Sequence, residues 1–288
     1  MNGGSVIALD ALQQRMLDDD VLLVDCRFDL ADPDRGATEY ARGHPPGAVY
    51  AHLNHDLSDL RKLGLGRHPL PDVAGFAARL AAWGYRADRQ VVVFDQSSGA
   101  IAARCWWMLR ALGQQNVSVL DGGFAAWQQA GLALSAGDTK IESRGSDEGL
   151  AVGWPDQDGQ AFALADYALV ERVREDPAWC LLDARAAARY RGEVEPIDPV
   201  AGHIPGAGNR PFSDNLDESG RFKTQQRLAA EFAELLGAVP ADRVIHMCGS
   251  GVTAAHNLLA MEYAGLSGSR LFVPSWSGWV RKGAFDMR

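Results

Sequence analysis

The stretch Val244-Ile245-His246-Met247-Cys248-Gly249-Ser250-Gly251-Val252-Thr253-Ala254-Ala255 changes character halfway along. Residues 244–247 are a short, mostly apolar run of strand length. From Thr253 onward Ala254, Leu258, Leu259 and Met261 recur at helical spacing. The join is a cysteine followed by Gly-Ser-Gly, and glycine lets a backbone curl tightly because it has no Cβ to clash. A curled loop entering a helix aims several N–H groups at one point, where the helix dipole adds positive potential. A sulfur held there is favoured as the thiolate, the nucleophilic form. The stretch therefore predicts a strand–turn–helix unit of a parallel sheet, with Cys248 as a catalytic nucleophile in a cradle formed by Gly249, Ser250, Gly251, Val252 and Thr253.

Working outward, the chain of 288 residues is long enough for two domains, and 47% hydrophobic with 23% charged residues is a globular composition. A net charge of −9 argues against nucleic acid or an anionic membrane as partner. There is no apolar run long enough to span a bilayer, and Met1-Asn2-Gly3-Gly4-Ser5 lacks the pattern of a signal peptide. The cysteines at 26, 105, 180 and 248 are too scattered for a zinc site or a disulfide framework, which fits a reducing cytoplasm; no metal or cofactor is expected. Cys26, Cys105 and Cys180 lie in or beside apolar elements and read as small buried hydrophobes.

The chain is also written twice. Val21-Leu22-Leu23-Val24-Asp25-Cys26-Arg27 returns as Cys180-Leu181-Leu182-Asp183-Ala184-Arg185. Gly43-His44-Pro45-Pro46-Gly47-Ala48 returns as Gly202-His203-Ile204-Pro205-Gly206-Ala207. Gly99 and Gly251, and likewise Trp127 and Trp279, lie 152 residues apart, so the offset is constant. Strands are expected at 21–24, 91–94 and 117–120, then at 179–182, 244–247 and 270–273. Helices are expected at 73–83, 99–112, 225–236 and 253–264. This alternation predicts α/β architecture with parallel sheets flanked by helices. The polar stretch 136–158 reads as a linker, dividing the chain into 1–137, 138–158 and 159–288. By the constant offset Gln96 falls at the place of Cys248, so only the second copy keeps a nucleophile. Asp25–Arg27 and Asp183–Arg185 occur in both copies and read as internal ion pairs.

On these motifs the chain resembles the tandem-domain rhodanese-type sulfurtransferases, with an inactive first rhodanese-like domain and a catalytic second. The loop Cys248-Gly249-Ser250-Gly251-Val252-Thr253 resembles that of the 3-mercaptopyruvate sulfurtransferases. The thiosulfate-preferring rhodaneses carry Cys-Arg-Lys-Gly-Val-Thr instead. Gly202-His203-Ile204-Pro205-Gly206-Ala207 and Ser275-Trp276-Ser277-Gly278-Trp279 are further family marks and read as scaffold. The resemblance implies that Cys248 takes a sulfur from a small anionic donor as a persulfide. It then passes the sulfur to cyanide or to a thiol acceptor, such as thioredoxin or a small thiol.

The resemblance also implies roles for other residues. Arg189 matches the arginine that binds the donor anion, for which a guanidinium fork is suited. Ser250 either hydrogen-bonds the donor or helps move a proton, together with His68. Thr253 either caps the following helix or bonds the persulfide. Two departures bear on the donor. The family's second substrate arginine is replaced at Glu195-Pro196-Ile197-Asp198, which predicts a one-armed clamp. The acidic partner of His68 falls to Asn54 or Asp56. Two other readings compete: a thiosulfate-preferring enzyme, and a non-enzymatic rhodanese-like binding module, against which Cys248 argues. Cysteine phosphatases and arsenate reductases with this loop architecture need an arginine at its end, where this chain has Ala254.

Overall fold

The computed structural model describes residues 4–18, 20–141, 145–146, 148–156 and 159–285. They form two compact units. The first comprises Met1–Asp59 and Pro71–Trp154. Its elements are β1 (Val6–Ile7), α1 (Leu9–Asp18), β2 (Val21–Asp25), α2 (Arg35–Arg42), β3 (Val49–Tyr50), α3 (Val73–Ala82), β4 (Gln90–Phe94), α4 (Ala102–Ala111), β5 (Val117–Leu120) and α5 (Gly123–Gln129). The strands form one sheet in the order β1-β5-β4-β2-β3, every neighbour parallel. β4 is buried along its whole length, as an inner strand covered on both faces must be, which is why its residues 91–94 read as an unbroken apolar run. Leu12, Leu23, Val92, Phe94, Leu120 and Trp127 belong to the core on one face.

The second unit comprises Leu60–Leu70 and Pro155–Arg288. It holds α6 (Tyr167–Val173), β6 (Cys180–Asp183), α7 (Ala187–Tyr190), β7 (Gly208–Asn209), α8 (Gln225–Leu236), β8 (Val244–Met247), α9 (Ala254–Tyr263), β9 (Arg270–Leu271) and α10 (Ser275–Phe285). Its sheet runs β7-β6-β8-β9, again all parallel. Where the first sheet has β1, this one has a single parallel bridge from Leu164 to Leu271. There Ala165 N donates to Leu271 O at 3.0 Å and Leu271 N to Ala163 O at 3.1 Å. Leu181, Ile245, Met247, Phe272 and Trp276 pack together in its core.

The repeated motifs build the same contacts twice. Arg27 forks onto Asp25 and donates through Nη2 to Gly43 O at 2.8 Å; Arg185 forks onto Asp183 and donates to Gly202 O at 2.7 Å. Tyr40 stacks on His44 with ring centroids 4.0 Å apart, and Tyr190 on His203 at 3.9 Å. The Gly-His-x-Pro-Gly-Ala motif is thus a clasp that ties the segment before the edge strand to the end of the inner strand.

The unit boundary differs from the one expected at 138–158. Gly145 N donates to Ala81 O and Ser146 N to Tyr85 O, each at 2.8 Å, and Ala151 N donates to Leu112 O at 2.9 Å. This stretch lacks an apolar period because it is held to the first unit through its backbone. Residues 142–144, 147 and 157–158 of the expected linker lie outside the described residues. The boundary falls between Trp154 and Pro155, and Leu60–Leu70 joins the second unit although its flanks belong to the first.

The Arg27–Asp25 pair supplies a stability test. Both side chains are almost fully buried, and burial holds the Asp25 carboxyl above its ordinary range despite Arg27. Arg27→Met should leave an uncompensated buried charge and lower stability by about 3–5 kcal/mol at neutral pH, read from urea unfolding. The deficit should shrink on acidification, because the variant's native state then binds a proton that its unfolded state does not. A loss under about 1 kcal/mol would show that the pair is replaceable.

Candidate active site

Cys248 follows β8 directly and is 2% exposed. Its Sγ accepts hydrogen bonds from Ser250 N at 3.4 Å and Gly251 N at 3.1 Å. Gly251 has φ +75, and a Cβ there would stand 2.5 Å from Val273 O, so the curl needs glycine on both counts. The loop is also pinned from α10. Trp276 N donates to Cys248 O at 3.0 Å and Ser277 N to Gly249 O at 2.9 Å. Cys248 N donates to Ser275 Oγ at 3.1 Å, and that hydroxyl donates on to Phe272 O at 2.9 Å. Ser275 holds φ +52, a left-handed conformation that is strained for a non-glycine residue. Its hydroxyl gives a reason to bear that strain.

The first unit corrects the residue expected opposite Cys248. Cys26 N donates to Phe94 O and Ala184 N to Met247 O, so Phe94 and Met247 correspond. Phe124 N then donates to Asp95 O and Ala125 N to Gln96 O, as Trp276 and Ser277 do to Cys248 and Gly249. Asp95, not Gln96, stands in the place of Cys248. The offset is 153 residues from Phe94 to Met247 but 152 from Gly99 to Gly251, so the first loop carries one extra residue. The Asp95 carboxylate accepts from Ser97 N at 3.1 Å, Gly99 N at 2.9 Å, Ile101 N at 2.8 Å and Ala102 N at 3.2 Å. In this copy the cradle is filled by a built-in anion.

The structure brings Ser250 and His68 together. His68 Nδ1 lies 2.8 Å from Ser250 Oγ, and both residues are buried. His68 reaches this site because Leu60–Leu70 is part of the second unit. Arg67 N donates to Ser277 Oγ and Tyr167 Oη to Gly64 O, each at 3.0 Å, fixing the segment. Asp56 belongs to the first unit, where its carboxylate takes Arg79 Nε and His52 N, each at 2.8 Å; Asn54 N donates to His52 Nδ1 in the same turn. Val252 is buried in the loop. Thr253 stands at the start of α9 without a side-chain cap bond, so the capping role open to it in the sequence is not taken.

Arg189 closes the site on another side. Its Nη2 donates to Glu195 Oε1 at 2.7 Å and to Asp198 Oδ2 at 3.4 Å. Burial alone would raise the Glu195 carboxyl; Arg189 and the backbone N–H groups of Asp198 and Ile197 outweigh it and hold the group below its ordinary range. Asp198 also pairs with Arg67, a residue the sequence reading did not single out. A Cβ added at Gly249 would meet Arg67 Nη2 at 3.0 Å and Arg189 Nη2 and Nη1 at 3.6 and 3.7 Å, so both guanidiniums border the loop. Ile197 is 44% exposed. Arg185 stays with Asp183 and Glu195, an internal pair in both copies.

The other thiols have different surroundings. Burial and the neighbouring Cys105 push Cys26 well up, and burial raises Cys180 to about 11. Among the described residues no cluster of metal-ligating side chains occurs, and no helix is long and apolar enough to cross a membrane.

Comparison with known proteins bears on this arrangement. A Pseudomonas aeruginosa protein named "Probable 3-mercaptopyruvate sulfurtransferase" is 48% identical over 282 residues, covering 97% of this chain and 96% of its own. A Mycobacterium tuberculosis protein named "Putative thiosulfate sulfurtransferase SseB" is 40% identical over 268 residues, covering 91% of this chain and 88% of its own. The crystal structure of SseA from Escherichia coli, titled for the rhodanese fold and catalytic mechanism of 3-mercaptopyruvate sulfotransferases, superposes with a TM-score of 0.78 at 32% identity. That match covers 96% of this chain and 100% of the other. The family described as the rhodanese-like domain matches residues 8–130 and 167–282, one segment for each of the two sheets. The protein therefore belongs to the rhodanese family and carries its domain twice.

Proposed function

We propose that the protein is a sulfurtransferase that takes a sulfur atom from 3-mercaptopyruvate onto Cys248 and passes it to a thiol or to cyanide. The observation that carries this reading is the contrast between the two cradles. Converging N–H groups meet a carboxylate at Asp95 and a nucleophilic sulfur at Cys248. The names of the Pseudomonas aeruginosa and Escherichia coli relatives point to the same donor. The name of the Mycobacterium tuberculosis relative makes thiosulfate the second reading.

The chemistry divides one transfer into two displacements. The Cys248 thiolate attacks the donor sulfur, an S–S bond forms and the donor's C–S bond breaks. The electron pair leaves on carbon as the enolate of pyruvate, which takes up a proton. In this scheme Ser250 Oγ delivers that proton, a reading supported by its 2.8 Å contact with His68 Nδ1. The persulfide lies in the same N–H cradle, which suits an anionic sulfur. An acceptor thiolate or cyanide then attacks the outer sulfur, the S–S bond breaks and Cys248 returns as thiolate.

Incubation with 3-mercaptopyruvate should add one sulfur mass to Cys248 and none to Cys26, Cys105 or Cys180, as read by peptide mass spectrometry. Cys248→Ser should abolish transfer; substantial remaining activity would end this mechanism. Comparison of kcat/KM for the two donors should favour 3-mercaptopyruvate, and a preference for thiosulfate would establish the second reading instead.

Brief iodoacetamide treatment at pH 8 should label Cys248 ahead of Cys180, whose pKa of about 11 keeps it a thiol there. Gly251→Ala should lower kcat/KM by at least about tenfold, since the cradle cannot keep its curl with a Cβ against Val273 O. Full activity in that variant would mean that the Gly251 N–H is dispensable.

A further inference from the structure

The loop Cys248-Gly249-Ser250-Gly251 has no cation of its own, and Ile197 stands where a second substrate arginine was expected. The second unit nevertheless holds two guanidiniums beside that loop. Arg67 uses Nη1 for Asp198 Oδ1, while Arg189 uses Nε and Nη2 for Glu195 and Asp198. Arg67 Nη2 and Arg189 Nη1 take no hydrogen bond among the described residues. Those two nitrogens lie 3.0 and 3.7 Å from the point where a Cβ of Gly249 would be. The absence of a side chain at Gly249 leaves that point open, one residue from the sulfur. Asp198 already shows the spacing at work: one carboxylate bridges both arginines, Oδ1 to Arg67 and Oδ2 to Arg189. Carboxylates and guanidiniums pair in this forked manner with directional preference.

We propose that Arg67 and Arg189 together form the clamp for the donor's anionic group, Arg67 providing the arm that Ile197 does not. The proposal rests on the reading of Cys248 as a sulfur carrier fed by an anionic donor, and it changes the expectation of a one-armed site. The fixed partners Asp198 and Glu195 hold each guanidinium in place, so that its remaining N–H groups face the loop. Arg67 and His68 then form one functional pair on Leu60–Leu70, the first orienting the donor and the second aligned with Ser250 Oγ. Arg67 is a substrate-binding residue in this scheme, and it sets specificity for donors that carry a negative charge near the transferred sulfur.

The test compares the intact protein with Arg67→Ala and Arg67→Lys. Arg67→Lys keeps a cation for Asp198, so it remains informative if Arg67→Ala does not fold. Each is assayed with 3-mercaptopyruvate and with its methyl ester, which lacks the carboxylate. With the acid, Arg67→Ala should raise KM by roughly 10- to 100-fold, with kcat changed by no more than about threefold, and Arg67→Lys should raise it less. With the ester, intact and variant proteins should have equal KM. Adding Ile197→Arg to Arg67→Ala should recover part of the loss. Equal losses with acid and ester would make Arg67 scaffold only, and no loss with either would remove it from the site; both results overturn the clamp. If the intact protein loads sulfur from thiosulfate and not from 3-mercaptopyruvate, the donor reading fails on its own. A rise in KM for thiosulfate in Arg67→Lys would then still support the clamp, and an unchanged KM would overturn it. Failure to load from either donor overturns both.

Discussion

Backbone N–H groups converge on a single side chain at the carboxyl end of an inner strand in both sheets, and most of the local architecture serves that convergence. The strand ends, the chain curls through glycine, and a helix begins with its unpaired N–H groups turned inward. In the first unit four N–H groups close on the Asp95 carboxylate. In the second the loop is one residue shorter, and two N–H groups reach Cys248 Sγ. A carboxylate has two oxygens for four donors, whereas a sulfur is one large, soft acceptor. The one-residue difference in loop length accompanies this change of occupant.

The helix after the last strand responds to the same constraint. Gly123 in the first unit and Ser275 in the second both sit at positive φ. Glycine adopts that conformation without penalty, while serine gives up about 1–3 kcal/mol to do so. A Cβ at Gly123 would stand 2.5 Å from Asp95 O, so the first unit has no room for the serine. Where the loop is shorter the hydroxyl fits and bonds Cys248 N. The strain at Ser275 is therefore local to the unit that holds Cys248.

Much of this was legible in the sequence where burial is strong. β4 and β8 are legible because inner strands of a parallel sheet are buried along their length and so mostly apolar, Gln90 and His246 being the exceptions. The α8 bounds read correctly because its apolar face recurs at helical spacing over three turns. The two-residue strands β1, β3 and β7 are too short to show any period, and they exist only through pairing with a neighbour; β9, expected at 270–273, pairs over Arg270–Leu271 alone. The extra loop residue was hidden because Gly99 and Trp127 lie beyond it and share one offset with their partners. Asp95 lies before it, and only the backbone bonding of Phe94 and Phe124 exposes the shift. Arg67 escaped notice because its position beside Gly249 and Asp198 arises only from tertiary folding. The available signal was a missing arginine at Ile197 together with an arginine directly before His68.

The membership of Leu60–Leu70 in the second unit has a consequence for how the molecule can be divided. By sequence the duplication invites a cut in the middle, with each half a self-sufficient domain. By contacts the unit that holds Cys248 draws eleven residues from far upstream, His68 among them. A C-terminal fragment would contain both sides of the N–H cradle and Arg189, yet it would lack the His68 imidazole beside Ser250 and the Arg67 guanidinium beside Gly249. Synthesised in order, the protein must hold that segment available until the last strand and α10 have emerged. The first half is thus the carrier of a part whose use comes last, which ties the two copies into one heritable whole even though only one of them has the cysteine.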